Sequence, residues 1–388
     1  MMFISSGIEC LEKCLETRVL IVGGGPAGAT AGRFLAANGV DCIILERFPG
    51  QTKPCGGGIP CGAFEELDLP ENLIKNKVSS LRVSPPKSGP FEIAFRSGYI
   101  GIVERREFDS TLRDMAQAQG AVVMDGEFLR FLPPENGRPE RGILCEANRG
   151  GERIMVRSEL VIAADGVNSR VRTALGMKPM SSLYTLGAKL PIDATMMEKN
   201  CCEFYFGRFA KGGYSWIFPG GASVSAGTGS TDPGRLKPAF ERLLEEKGAA
   251  PAAAIQGTRG YRIPLWEGQP LMKDKVLFAG DSAGLVMPFT FEGIYYAMRS
   301  GQLAAQAIAE GDPGLYRKLW RHRFRSRFLL MKGLWRAFLT TESGTETLIT
   351  AFRDERVQQT AIKLWLNKTG ERGSLASFIN VLRKKVLF

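Results

Sequence analysis

The chain carries a single histidine, and its eight cysteines include no C-x-x-C pair. A zinc centre needs imidazole or thiolate ligands at close spacing, so no metal is expected. The cysteines, at 10, 14, 42, 55, 61, 145, 201 and 202, form no even ladder of the disulfide-scaffold kind, which points to a reducing cytoplasm. No run of about 18 apolar residues occurs, so no membrane-crossing helix is expected. The opening MMFISSGIECLEKCLE has no apolar segment behind a basic start and does not read as a secretory signal. Residues 1–17 are taken as a short lead without assigned function.

Acidic residues are also scarce in one place. Between Gly311 and Phe388 there are 16 Lys/Arg against 6 Asp/Glu, or +10, which leaves +1 of the net +11 for the other 310 residues. Whatever the positive charge does, the C-terminal fifth does it. No nucleic-acid motif accompanies the charge, so nucleic acid is not the expected partner. A chain of 388 residues with 44% hydrophobic content has enough apolar mass for a large core, read here as two interleaved domains.

What is present is concentrated in Arg18–Glu46, RVLIVGGGPAGATAGRFLAANGVDCIILE. An apolar, β-branched run reads as a buried parallel strand. Gly23, Gly25 and Gly28 then give G-x-G-x-x-G. The first glycine serves a tight turn, the second lets backbone approach a pyrophosphate, and the third packs helix on strand. Pro26 suits a first helical turn, where its missing N–H costs nothing. The helix N-terminus would aim free amides at phosphate. Glu46 ends the next strand 21 residues after Gly25, where a carboxylate meets a ribose. This spacing alone does not separate FAD from NAD, and no second G-x-G-x-x-G lies on a strand–helix unit.

Three further stretches carry chemistry. KPCGGGIP at 53–60 places Cys55 before Gly56 and Gly57, a loop whose backbone allows close approach to a flat ligand. SELVIAADGVNSRVR at 158–172 reads as a strand, a turn at Asp165-Gly166 and a helix start. KVLFAGDSAGLVMPFTFEGIYYAMRSG at 275–301 runs from a buried strand into Gly280-Asp281, with a helix expected from Phe291-Glu292. Elsewhere, Phe64–Ile74 begins as a helix, Val78–Ser97 reads as antiparallel strands, and Arg105 and Arg106 precede an amphipathic helix as surface charge or as phosphate or flavin contacts. YSWIFP at 214–219 alternates Tyr214, Trp216 and Phe218 on one side of a strand.

Taken together, GGGPAG, Asp165-Gly166 and Gly280-Asp281 resemble the FAD fingerprints of the single-Rossmann flavoproteins that include p-hydroxybenzoate hydroxylase. The loop KPCGGGIP, the strand YSWIFP and the segment 280–301 are similar to the geranylgeranyl reductase family, nearest to its chlorophyll-type members. The resemblance implies an α/β fold: a Rossmann-type FAD-binding domain in three pieces (17–80, 99–180, 265–312), interleaved with strands at 81–98 and an antiparallel substrate domain at 181–264. A basic helical region, 313–388, follows. It implies FAD contacts from Gly23, Gly25, Pro26, Ala27, Gly28, Glu46, Arg47, Cys55, Gly56, Gly57, Arg105, Asp165, Gly280, Asp281, Gly293 and Ile294. Cys55, as proton donor or gate, and Tyr214 become the catalytic candidates. Tyr214, Trp216, Phe218, Pro288 and Phe291 become substrate-binding candidates. Phe291 departs from relatives that carry a small residue, often glycine, at that position.

The activity so implied is hydride transfer from reduced flavin N5 to isolated C=C bonds of a prenyl chain on a lipid, diphosphate or tetrapyrrole. NADPH or ferredoxin would be the external electron donor. A flavin monooxygenase or halogenase of the same fold is the alternative, and a non-catalytic FAD or lipid carrier the remaining one. Tyr316–Leu339 has eight Lys/Arg and no acid, with Leu319, Trp320, Phe324, Phe328, Met331, Trp335 and Phe338 at helical spacing. Its aromatic face is expected either on an anionic membrane surface or against the catalytic domain, so the protein is expected in the cytoplasm, peripheral on the membrane face. His322 is read as exposed.

Overall fold

The structure, a computed structural model, describes residues 14–51, 53–133, 142–191, 200–209, 211–249, 257–366 and 372–386. Its organising element is a mostly parallel sheet. Strands Val276–Phe278, Glu152–Ala163, Cys14–Val22, Cys42–Glu46 and Val122–Asp125 lie side by side and parallel. Val19, Leu20, Ile21 and Val22 are all buried, as a parallel strand covered on both faces demands. The strand starts four residues before the apolar run. Cys14–Thr17 pair with Met155–Ser158 while alternating exposed and half-buried positions, a polar margin that an apolar-run criterion misses.

A second sheet of seven strands runs in the order Arg259–Pro264, Ser182–Pro191, Ser223–Ser230, Tyr214–Pro219, Cys201–Phe206, Ser80–Ser84, Phe91–Ala94. Its pairs are antiparallel except one: Cys201–Phe206 runs parallel to Ser80–Ser84. Strands contributed by two remote chain segments meet there, and no hairpin constrains their direction. A small third sheet joins Gly58–Pro60, Ile100–Val103 and Ile74–Val78, anchoring the end of the glycine-rich loop.

Several helix ends depart from the expected positions for local reasons. The helix expected from Phe64 spans Cys61–Glu66. Arg105 and Arg106 do not precede their helix but begin it, because the Glu104 carboxylate caps the N–H groups of Arg106 (2.8 Å) and Glu107 (3.3 Å). The helix expected from Phe291 starts at Ile294, since Phe289 (φ +79°) and Phe291 (φ +52°) are left-handed and stop helix propagation.

The basic helix Leu315–Leu334 buries its aromatic stripe. Tyr316, Trp320, Phe324 and Phe328 are at most 3% exposed, so this face is core rather than a surface free to enter a bilayer. Trp320 and Phe328 pack on Trp266 (centroids 6.0 and 5.3 Å), and Phe324 and Phe328 on Tyr296 (5.4 and 5.1 Å). The opposite face, with Arg317, Lys318, Arg321, His322 and Arg325, is exposed. Glu66 pins this helix inward. It accepts bonds from Tyr295 (2.7 Å) and Arg323 and pairs with Arg299 (3.4 Å). Helices Glu342–Ala351, Glu355–Leu366 and Arg372–Val386 then fold back over the seven-stranded sheet. Among the described residues no helix is long and apolar enough to cross a membrane.

Candidate cofactor and substrate site

The three glycines of the first turn do different work. A Cβ on Gly23 would lie 2.4 Å from the Ala164 carbonyl oxygen, and one on Gly28 would lie 1.8 Å from that of Gly23. Both sites exclude any side chain. At Gly25, its own chain neighbours aside, the only atom among the described residues within 4 Å of such a Cβ is Lys53 Nζ, at 3.8 Å. This glycine therefore opens onto a cavity, and helix Pro26–Ala37 begins there without a side-chain cap. Uncapped amides, the positive dipole end and the cations Lys53 and Arg105 along the same cavity fit the diphosphate of FAD.

Gly280 closes on this turn, its φ of +63° leaving a Cβ position 3.0 Å from Ala27 Cβ. Gly25, Pro26, Ala27, Gly280, Asp281, Gly293 and Ile294 thus share one cavity wall although some 250 residues separate them. Asp281 accepts a bond from the Tyr261 hydroxyl at 3.1 Å. Burial pushes the Tyr261 phenol up to about 12. The Lys53 ammonium is held above its ordinary range by Tyr261 first and then by Asp281 and Asp109, against burial and Arg105.

Other expected contacts stand back from the cavity. Glu46 ends its strand as anticipated, but its carboxylate accepts from the backbone amides of Gly24 (2.7 Å) and Phe48 (2.8 Å) and braces the loop. Arg47 faces outward, paired with Glu127 at 2.8 Å. The Asp165 carboxylate accepts from Val171 N (3.1 Å) at the start of a short helix, while its neighbours Ala164 and Gly166 line the cavity. Its second oxygen is buried without a hydrogen bond, and burial raises its pKa against the bonds from Ser169 and Val171. Pro288 is buried outside the lining.

Cys55 lies on the cavity with its Sγ accepting from Gly57 N at 3.3 Å, and its carbonyl accepts from the Ser225 hydroxyl at 3.1 Å. The ring of Phe218 lies on the glycines that follow: a Cβ on Gly56 would come within 2.4 Å of it. No larger residue fits between loop and strand. Beside the thiol stands Arg105, buried and doubly bonded to Asp109 (Nε 3.0 Å, Nη2 2.8 Å). Burial alone would lower the pKa of its guanidinium; Asp109 and then Cys55 overcome this and raise it. Arg106 is exposed.

Tyr214 donates to the Thr290 carbonyl at 2.6 Å and packs edge-on against Phe204 (5.2 Å). Burial raises its pKa well above the ordinary phenol value. Trp216 covers Gly227, where a Cβ would lie 2.3 Å from the indole. Phe291 packs 5.9 Å from Tyr214 in a conformation that glycine adopts freely. Phe291→Gly is therefore expected to be about 1 kcal/mol more stable than Phe291→Ala, the cost of the left-handed backbone. Urea midpoints at equal m-value check this.

Away from the glycine turn the cavity becomes apolar. Leu81, Val83, Phe204 and Phe206 of the sheet face Ile349 and Trp365 of the C-terminal helices. Sequence reasoning gave these helices no place in the site, and no local pattern marks them as its wall. It also missed Lys53, Asp109 and Tyr261. Lys53 lies two residues from Cys55 and was the one of these within reach of motif reasoning.

Comparison with known proteins agrees with this arrangement. Residues 16–311 match the FAD binding domain family. The chain is 31% identical to the geranylgeranyl diphosphate reductase of Rhodobacter capsulatus, covering 90% of this chain and 91% of that protein. It is 32% identical to digeranylgeranylglycerophospholipid reductase 1 of Methanothermobacter thermautotrophicus, covering 93% and 97%. A geranylgeranyl bacteriochlorophyll reductase-like structure from Thermoplasma acidophilum superposes with a TM-score of 0.77 at 24% identity, covering 96% of this chain and 99% of that one. A flavin-dependent brominase shares the fold at a TM-score of 0.72 and 17% identity, covering 95% and 98%. The chain therefore belongs to the FAD binding domain family and, within it, to the geranylgeranyl reductases.

Proposed function

We propose that this protein reduces isolated C=C bonds of a geranylgeranyl-type chain using FAD. The observation that carries the reading is continuity: one cavity runs from the cofactor turn, past Cys55, into a predominantly apolar section between sheet and C-terminal helices. Bound there and reduced, FAD supplies the hydride. The chain supplies the rest. An unpolarised alkene offers no handle for hydrogen bonding, so Trp216, Phe218 and Phe204 orient it by packing alone. Cys55, held by the Gly57 amide and adjacent to Arg105, is the proton source for the second carbon, with Tyr214 behind it. The glycine loop clamped under Phe218 keeps water from the reacting atoms.

Anaerobic reoxidation tests this. The reduced enzyme is mixed with geranylgeranyl substrates, and the oxidised-flavin band should return with a product mass gain of about two per double bond. Reoxidation by oxygen alone would favour a monooxygenase or halogenase of the same fold.

NADPH or ferredoxin is proposed as the electron donor. The exposed basic ridge at 317–325 is proposed to rest on an anionic membrane. Because the aromatic face of that helix is spent on the core, binding is expected to be electrostatic and fully reversed by salt. Sedimentation with phosphatidylglycerol vesicles at rising ionic strength measures it; binding that salt leaves intact would rule out this mode.

A further inference from the structure

Lys53 is the cation placed where a diphosphate would lie. Its Nζ sits 3.8 Å from the Cβ position of Gly25 and 3.9 Å from that of Gly166, between the two turns that frame the uncapped N-terminus of helix Pro26–Ala37. Its neighbours there are the Tyr261 ring, 5.9 Å away, Arg105, which repels its charge, and Asp281 and Asp109, which attract it. Among the described residues no carboxylate lies within salt-bridge distance of it, whereas Arg105, another cation lining this cavity, is paired with Asp109 through Nε and Nη2. An ammonium so placed has a free charge to give.

The covalent chain links that charge to the reacting end of the cavity. Lys53 is followed by Pro54, which fixes φ, and then by Cys55, whose thiol is tied to Gly57 N and whose carbonyl is tied to Ser225. From Lys53 to Gly57 the loop has no helix or strand of its own. Its position is therefore set by such anchors, and a bond at Lys53 reaches the thiol within two residues.

We infer that Lys53 binds the diphosphate of the cofactor and thereby makes the placement of Cys55 depend on cofactor occupancy. The inference rests on the FAD cradle and not on prenyl reduction, so its tests are binding and thiol reactivity rather than turnover. Lys53 is a positioning residue in this scheme: it acts on the chemistry through Cys55.

The full-length protein with Lys53→Met and Lys53→Arg provides the test. In the first measurement, FAD binding is followed by flavin fluorescence. Lys53→Met should raise Kd at least about tenfold, the loss of one charge-assisted bond, and flatten its salt dependence; Lys53→Arg should recover most of the affinity. In the second, the apoprotein is treated with iodoacetamide and alkylation of the Cys55 peptide is timed by mass spectrometry, with ADP as a diphosphate probe lacking the flavin. Saturating ADP should change the Cys55 rate several-fold in the wild type and leave it unchanged in Lys53→Met. An unaltered Kd for Lys53→Met, or an equal ADP effect in both proteins, overturns the proposal. A raised KM for a prenyl diphosphate with unaltered FAD binding also overturns it, and assigns Lys53 to the substrate's phosphates instead.

Discussion

Replacing Cys55 by alanine is expected to lower alkene reduction by about 10²- to 10⁴-fold, the range for loss of a positioned proton donor, while FAD stays bound. The contacts of Cys55 divide along that line. Its carbonyl holds Ser225 and its backbone supports the loop, and alanine keeps both. Only the sulfur, which accepts from Gly57 N and neighbours Arg105, is lost. Cofactor retention is checked by the absorbance of the purified variant, and the chemical step by single-turnover reoxidation with a prenyl substrate. Full alkene reduction by Cys55→Ala would remove the thiol from the mechanism. Tyr214→Phe is the internal control. The Tyr214 proton is directed at the Thr290 carbonyl, so phenylalanine should cost under about tenfold in rate, together with about 1 kcal/mol or more of stability for the unsatisfied carbonyl. Were Tyr214→Phe the more damaging of the two, the roles would be exchanged.

The largest stability effect is expected at Glu66, remote from the reacting atoms. Its side chain is 11% exposed and meets the 8% exposed Arg299, Arg323 and the hydroxyl of buried Tyr295. Glu66→Ala removes the one carboxylate that three groups share and leaves two arginines facing each other without it. A loss of about 3–5 kcal/mol is expected, as for a buried pair broken on one side. The urea midpoint should fall by an equivalent amount at unchanged m-value. Glu66→Gln keeps acceptor geometry without charge and should lose less. A change within about 0.5 kcal/mol for Glu66→Ala, the range of an ordinary surface substitution, would show that the cluster is solvent-relaxed. Since this cluster fastens helix Leu315–Leu334, whose Met331 and Leu334 line the cavity, the same variant should also weaken prenyl-substrate binding.

How far the sequence reached is clearest at individual residues. Gly25 was read from one motif and Gly280 and Gly293 from another, and the fold sets them on one wall. Glu46 was placed correctly at a strand end, but strand pattern does not determine what a carboxylate accepts, and here it accepts Gly24 and Phe48. Arg105 was weighed as surface charge or cofactor contact. Its burial against Asp109, one helical turn on, depended on where the helix began, which Glu104 decided. Phe291 stood out as an unusual residue, and its left-handed backbone is one that glycine adopts freely.

The sequence by itself determined the cofactor turn. The demand on Gly28 arises from the Gly23 carbonyl five residues away, and the G-x-G-x-x-G spacing marks the turn, although the Ala164 carbonyl that excludes a side chain at Gly23 comes from the end of a distant strand. It also determined that 316–339 is a helix with one aromatic side. Periodicity reports that such a face exists and says nothing of what covers it. Only the tertiary structure decided that Trp320, Phe324 and Phe328 pack on Trp266 and Tyr296 and that Ile349 and Trp365 close the apolar cavity. These contacts join segments far apart in the chain, and burial energy, being non-directional, fixes a partner only once the whole core is assembled.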